Sequence, residues 1–232
     1  MRAAPLIATA LSLSLLASCG SNPEPDATEE GTLSDPADII APTDFASLTL
    51  GGTIQGPLGP EVETSLVAGD TAIGDIASRV QCPESVDPCD PENAAGGTIY
   101  TYIYEIRPGF DGPNDEGFAM PAEVMPVESA ESFSLTFPAY GFTGVAGYNV
   151  AEATERLAAG FNPVISCEDG KLMWTFPPES GWSTGETITF FWQSTQPPTG
   201  PTGRYRFVGD GREAIGMGPM PREGGELPAV CD

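Results

Sequence analysis

Apolar and polar residues alternate along much of this chain with a period of two, the signature of half-buried extended strands. Between 98 and 106, Tyr100, Tyr102, Tyr104 and Ile106 fall on one side of an extended segment. Phe133, Leu135 and Phe137 alternate with Ser132, Ser134 and Thr136; Leu172, Trp174 and Phe176 alternate with Met173 and Thr175. Ile188, Phe190 and Trp192 alternate with Thr187, Thr189 and Phe191. A last strand, Arg204-Tyr205-Arg206-Phe207-Val208, stops at Gly209-Asp210-Gly211, and Asp169-Gly170 before Lys171 signals a tight turn. Ser47-Leu48-Thr49-Leu50 predicts a further strand ended by Gly51-Gly52. Helical signals are few. Asn149 caps a helix predicted over 150–159, with Glu152 and Glu155 near its start and Gly160 at its end. A second helix is predicted over 71–80, behind Asp70. The 28 glycines and 24 prolines suit many turns. The predicted fold is mainly β, an antiparallel β-sandwich with one or two short helices.

The chain divides into three stretches. Residues 1–18 have the parts of an export signal: Arg2, then an apolar run carrying Leu6, Ile7, Leu11, Leu13, Leu15 and Leu16. That run is too short to cross a bilayer core of about 30 Å as a helix. Residues 19–46 are rich in Pro, Asp, Glu, Thr and Ser and predict a disordered, solvated tether, with Ile39, Ile40 and Phe45 docking on the domain near its end. Residues 47–232 are long enough for one sizeable core and are read as a single β-rich domain. Its last segment, from Gly216 on, is rich in Gly and Pro and depends on Cys231 to be held.

The leader ends in Leu16-Ala17-Ser18-Cys19, which resembles the lipobox of bacterial lipoproteins. The resemblance implies cleavage before Cys19, a lipidated cysteine at the new N-terminus and attachment to the membrane through acyl chains. Each buried methylene contributes about 0.8 kcal/mol, so two or three chains anchor stably where one does not. Gly20 in place of Asp after the cysteine implies sorting to the outer membrane by Gram-negative rules.

Charge and composition narrow the chemistry. The chain carries 9 Lys+Arg against 33 Asp+Glu, a formal charge of −24, and loss of the leader removes Arg2 and takes it to −25. No basic stripe exists to displace counterions from phosphates, so nucleic acid is excluded as a partner. Histidine is absent, which removes Ser-His-Asp and Cys-His nucleophiles and histidine-ligated zinc. Of the five cysteines, Cys19 belongs to the anchor. Cys82, Cys89, Cys167 and Cys231 form an even set in an oxidising compartment, for which three pairings exist. Cys82–Cys89 and Cys167–Cys231 are the favoured pair.

Four features are candidate chemistry. Tyr100, Tyr102 and Tyr104 form an aromatic ladder suited to stacking on a sugar or a partner protein, although a half-buried sheet face gives the same pattern. Trp182, in Gly-Trp-Ser-Thr-Gly, is a candidate exposed aromatic. Asp111, Asn114, Asp115 and Glu116 crowd hard oxygen ligands into a Gly-bracketed loop that is a candidate calcium seat without EF-hand spacing; Glu84, Asp87, Asp90 and Glu92 form a second acidic cluster. Gly141, Gly144 and Gly147 have three-residue spacing, unlike a dinucleotide-binding turn, and read as turn glycines. Met120, Met125, Met217 and Met220 beside prolines are weighed as Cu(I) ligands and as loop packing.

The stretch from Thr98 through Phe207 resembles domains of bacterial surface proteins sorted by an exosortase. The likeness lies in the Tyr-x-Tyr-x-Ile strand leading to Pro108-Gly109, in Gly144-Val145-Ala146-Gly147-Tyr148, and in Gly185-Glu186-Thr187-Ile188-Thr189-Phe190-Phe191-Trp192-Gln193-Ser194. It implies a secreted β-rich module and transfers no catalytic residue; the Pro-Glu-Pro sorting signal, apolar span and basic tail of those proteins are missing. The expected function is therefore a membrane-anchored, non-enzymatic binding or structural module for a protein or polysaccharide. The alternative is a carboxylate-based hydrolase of envelope glycans, for which Glu105 is the best-placed acid and a second acid must face it.

Overall fold

A computed structural model describes residues 38–55, 58, 61–121, 123–224 and 231. The leader, Cys19 and the tether up to residue 37 lie outside the described residues. Strand structure begins inside the stretch expected as tether, with β1 (Asp38–Ile40) and β2 (Thr43–Asp44), then a 3-10 turn at Phe45–Ser47. Ile40 is buried and Phe45 packs on Phe191 with ring centroids 5.6 Å apart, but Ile39 stays 75% exposed. The remaining elements are β3 (Leu50–Thr53), β4 (Val62–Ala68), β5 (Thr71–Pro83), β6 (Tyr100–Pro108), β7 (Glu123–Val124), β8 (Ala130–Leu135), β9 (Phe142–Tyr148), α1 (Val150–Arg156), β10 (Val164–Glu168), β11 (Lys171–Thr175), β12 (Ile188–Ser194), β13 (Gly203–Gly209) and β14 (Arg212–Gly218).

The β content and the single α-helix among the described residues match the sequence pattern, but the strands do not separate into two sheets. They form one 14-stranded sheet in the order β1-β10-β11-β8-β13-β14-β4-β5-β6-β12-β9-β2, with β3 and β7 added on β5. Its ladders are antiparallel except β2 on β9 and β5 with β7. The sheet curls until its limbs face each other. Trp174 on β11 donates through Nε1 to the Gly147 carbonyl on β9 at 3.1 Å, and Phe133 on β8 meets Phe190 on β12 at 5.6 Å. The two ends of the path, β1 and β2, are separated in the chain only by Ala41 and Pro42.

Two-residue hairpins set the registers of β10/β11 and β13/β14. Asp169-Gly170 joins the Glu168–Lys171 pair, Asp210-Gly211 joins the Gly209–Arg212 pair, and all four turn residues have positive φ, the geometry whose twist matches the flanking strands. The helix cap is as expected. The Asn149 side chain accepts from the N–H groups of Ala151 and Glu152, satisfying donors that the first turn leaves free. The helix ends at Arg156, short of 159, because the extended Leu157 turns its side chain into the core.

Three elements correct the sequence reading. Residues 71–80 are not helical but belong to the longest strand, β5, with Ile76, Ser78 and Val80 buried on one face. Residues 47–49 do not form a strand; Asp44 caps the 3-10 turn instead, and β3 starts at Leu50 and runs through Gly51-Gly52. A Cβ at Gly51 would stand 2.8 Å from the Pro83 carbonyl, so glycine lets β3 lie against β5. Gly144 and Gly147 belong to β9 rather than to a turn, and a Cβ at Gly147 would collide with the Thr43 carbonyl of β2.

Candidate functional site

The expected stacking face points inward. Tyr100, Tyr102 and Tyr104 do share one face of β6, but that face is the core, with exposures of 3%, 0% and 1%. Trp182 is equally sealed, packed on Phe176 at 4.6 Å, its Nε1 donating to the Glu186 carbonyl at 2.7 Å. Their polar atoms are used internally. Trp192 Nε1 donates to Tyr104 Oη at 2.9 Å, Tyr104 donates to Tyr205 Oη at 3.0 Å, and the Tyr205 hydroxyl passes the chain on to the Pro219 carbonyl. Tyr102 Oη donates to the Gln196 carbonyl at 3.0 Å. Burial pushes the Tyr102, Tyr104 and Tyr205 hydroxyls up from their ordinary range, keeping them neutral donors. None of the four expected contact residues has a ring free to stack on a ligand.

The outward face of the same strands carries the charges. Antiparallel register sets Glu63 on β4 beside Ala77 on β5, and Ala77 beside Glu105 on β6; Asp75 stands opposite Arg107, and Thr189 of β12 opposite Glu105. Alternation puts Asp75, Ala77 and Arg79 on this side. The short side chain of Ala77 lies in a hollow of about 150 Å³ walled by Glu63, Asp75, Glu105, Arg107, Phe110 and Thr187. Glu105 is thus in a hollow with two further acids, the condition set for the hydrolase alternative. Its carboxylate is committed, however, to a 2.6 Å ion pair with Arg79. Arg107 turns from Asp75, its guanidinium 3.6 Å above the Phe110 ring centroid and its Nε donating to the Gly185 carbonyl. The volume of the hollow is below the roughly 300–1,000 Å³ of ordinary small-molecule pockets.

Asp75 is the chemically distinctive group. It is 4% exposed, its Oδ2 accepts from Gly112 N–H at 2.9 Å, and its Oδ1 is buried without a hydrogen-bond partner. Burial, then the neighbouring Glu63 and Asp111 carboxyls, push its carboxyl up to about 7 against the lowering effect of Gly112 N–H. Glu63 and Asp75 were not singled out from sequence because a helix was read over 71–80, which hides the two-residue alternation of Asp75, Ala77 and Arg79. The run Ile76-Ala77-Ser78-Arg79-Val80-Gln81 carried that signal.

The four expected calcium ligands lie along the loop after β6. Asn114 bonds Ser65 and the Ala119 carbonyl, Asp115 accepts from Glu63 N–H at 2.8 Å, and Asp111 Oδ1 is buried without a partner. Glu116 is exposed. Among the described residues, no group of three or more His, Cys, Asp or Glu side chains has the arrangement to hold a metal ion. The cysteines pair as favoured: Cys82 with Cys89 and Cys167 with Cys231, at Cα separations of 5.5 and 5.0 Å. Two disulfides point to an oxidising, non-cytoplasmic compartment. Among the described residues, no helix is long and apolar enough to cross a membrane.

No protein-family model, curated protein or solved structure matches this chain.

Proposed function

We propose that the chain is a lipid-anchored lipoprotein of the bacterial envelope, sorted to the outer membrane, whose β domain is a non-enzymatic binding or structural module. The observation that carries this reading is the cysteine pairing. With Cys82 joined to Cys89 and Cys167 to Cys231, the one cysteine outside a disulfide is Cys19, at the end of Leu16-Ala17-Ser18-Cys19. An odd cysteine in an exported chain needs its own use, and acylation supplies one. With the aromatic ladder closed inside the sheet, a protein or polysaccharide partner meets the domain through its polar outer faces.

Growth with an alkyne fatty acid, followed by click detection and membrane fractionation, tests the anchor. The full chain is expected to carry label and to sediment with outer membranes, whereas Cys19→Ala loses the label and leaves the membrane fraction. An unlabelled, soluble wild-type chain defeats this reading.

The shared hollow of Glu63, Asp75 and Glu105 supports the second reading, a carboxylate hydrolase, because it gives Glu105 the neighbouring acids that such chemistry needs. Its small volume and the Arg79–Glu105 ion pair weigh against it. Incubating the purified chain with envelope glycans is expected to release no reducing ends. Release that disappears in Glu105→Gln and Asp75→Asn would replace the module by an enzyme.

A further inference from the structure

The loop after β6 crosses the outer face of β4 and β5 and is tied down by a few bonds clustered around one carboxyl pair. Gly109 N–H bonds the Ile73 carbonyl at 2.8 Å, Gly112 N–H bonds Asp75 Oδ2, and Asp115 N–H bonds the Glu63 carbonyl at 3.0 Å. Asp115 Oδ2 accepts from Glu63 N–H, and Asn114 grips Ser65. Gly112 sits directly over the two acids: a Cβ built on it would stand 2.9 Å from Glu63 Oε1 and 3.0 Å from Asp75 Oδ2. Asp75 Oδ1 beneath the loop and Asp111 Oδ1 within it are buried without partners. A sealed carboxylate oxygen with neither donor nor counterion is costly. A proton held between Asp75 and Glu63 lowers that cost by removing the buried charge.

We infer that Glu63 and Asp75 form a proton-operated latch: one proton shared by the two carboxyls holds the 109–118 loop on β4 and β5, and its loss to water releases the loop. The surrounding charges fit this role. On β6, Glu105 is neutralised by Arg79 of β5, while Arg107 is engaged with Phe110 and Gly185. The loop itself adds Asp111, Asp115 and Glu116, and Thr187, just before β12, is uncharged. No free cation among these groups compensates the pair when it ionises, so deprotonation leaves Glu63, Asp75 and Asp111 repelling one another. Burial holds the Asp75 carboxyl at about 7, which places release near neutral pH. Opening uncovers the hollow around Ala77 and exposes its acids.

Hydrogen exchange of the full mature chain in metal-free buffer at pH 6 and 8.5, corrected for intrinsic rates, reads the latch directly. Neither acylation nor a partner enters this measurement, so its failure leaves the anchor proposal standing. Wild type is expected to lose about tenfold or more protection across 109–118, since opening is favoured up to about tenfold per pH unit above the midpoint. The 100–108 segment keeps its protection. Asp75→Asn and Glu63→Gln, which mimic the protonated pair, are expected to keep the loop protected at both pH values. Unchanged protection in wild type overturns the latch, as does the same loss in Asp75→Asn. If neither variant folds, carboxyl carbon NMR of wild type decides. The Asp75 signal and the amide shifts of 109–118 must titrate together near pH 7, and a midpoint below about 5, the ordinary carboxylate range, overturns the latch.

Discussion

Replacing Cys167 and Cys231 together by serine is expected to lower the unfolding free energy by about 4 kcal/mol, the chain-entropy value for a loop of this size. The bridge closes a separation of 64 residues, whereas Cys82–Cys89 closes only 7. The long loop denies the unfolded chain far more conformations. It also ties Cys231, 2% exposed, to β10, the strand on which β1 is registered through Asp38 opposite Cys167. Replacing Cys82 and Cys89 together is expected to lose less, about 2.4 kcal/mol on the same relation. Urea denaturation of both double variants under non-reducing conditions measures the two losses. Equal losses, or the reverse order, would show that loop entropy does not govern how these bridges act.

Replacing Asp75 by asparagine is expected to stabilise the protein at pH 8 by on the order of 4 kcal/mol and to flatten its stability between pH 4 and pH 7. The sign follows from proton affinity. Asp75 holds its proton up to about pH 7 when folded, against 3.8 for an ordinary aspartate. The folded chain therefore binds more protons than the unfolded chain across that window, and stability from this group falls as pH rises through it. Each tenfold difference in proton affinity is worth about 1.4 kcal/mol. An amide keeps the shape of the protonated acid, accepts from Gly112 N–H, donates toward Glu63 and does not ionise. Thermal unfolding of wild type and variant from pH 4 to 8 tests this. Parallel curves would mean that Asp75 has an ordinary proton affinity and that its burial is compensated elsewhere.

Both predictions concern groups that were unequally legible beforehand. The disulfides were legible because four cysteines remained after the anchor and two compact pairings suggested themselves. Asp75 was not, because its significance depends on Glu63, twelve positions earlier, being brought beside it by the β4/β5 hairpin. Strand β14 was missed for a related reason. Its buried positions are Ala214, Gly216 and Gly218, which carry no large apolar side chain to mark a period. They are small because space is short: a Cβ at Gly216 would stand 2.6 Å from Ile76 Cγ2.

Alternation in the sequence determined that β6, β8, β11, β12 and β13 are strands and which side chains share a face, since a two-residue period is local to the backbone. The same local rule let Asn149 specify where the helix begins and Asp169-Gly170 where a hairpin turns. A strand has two faces, however, and its own sequence does not say which one the rest of the chain will cover. Only the curling of the sheet turned the tyrosine ladder inward and left Glu63, Asp75 and Glu105 outside under a loop. Burial and charge proximity are properties of what packs together across the chain, and they decide where protons are held.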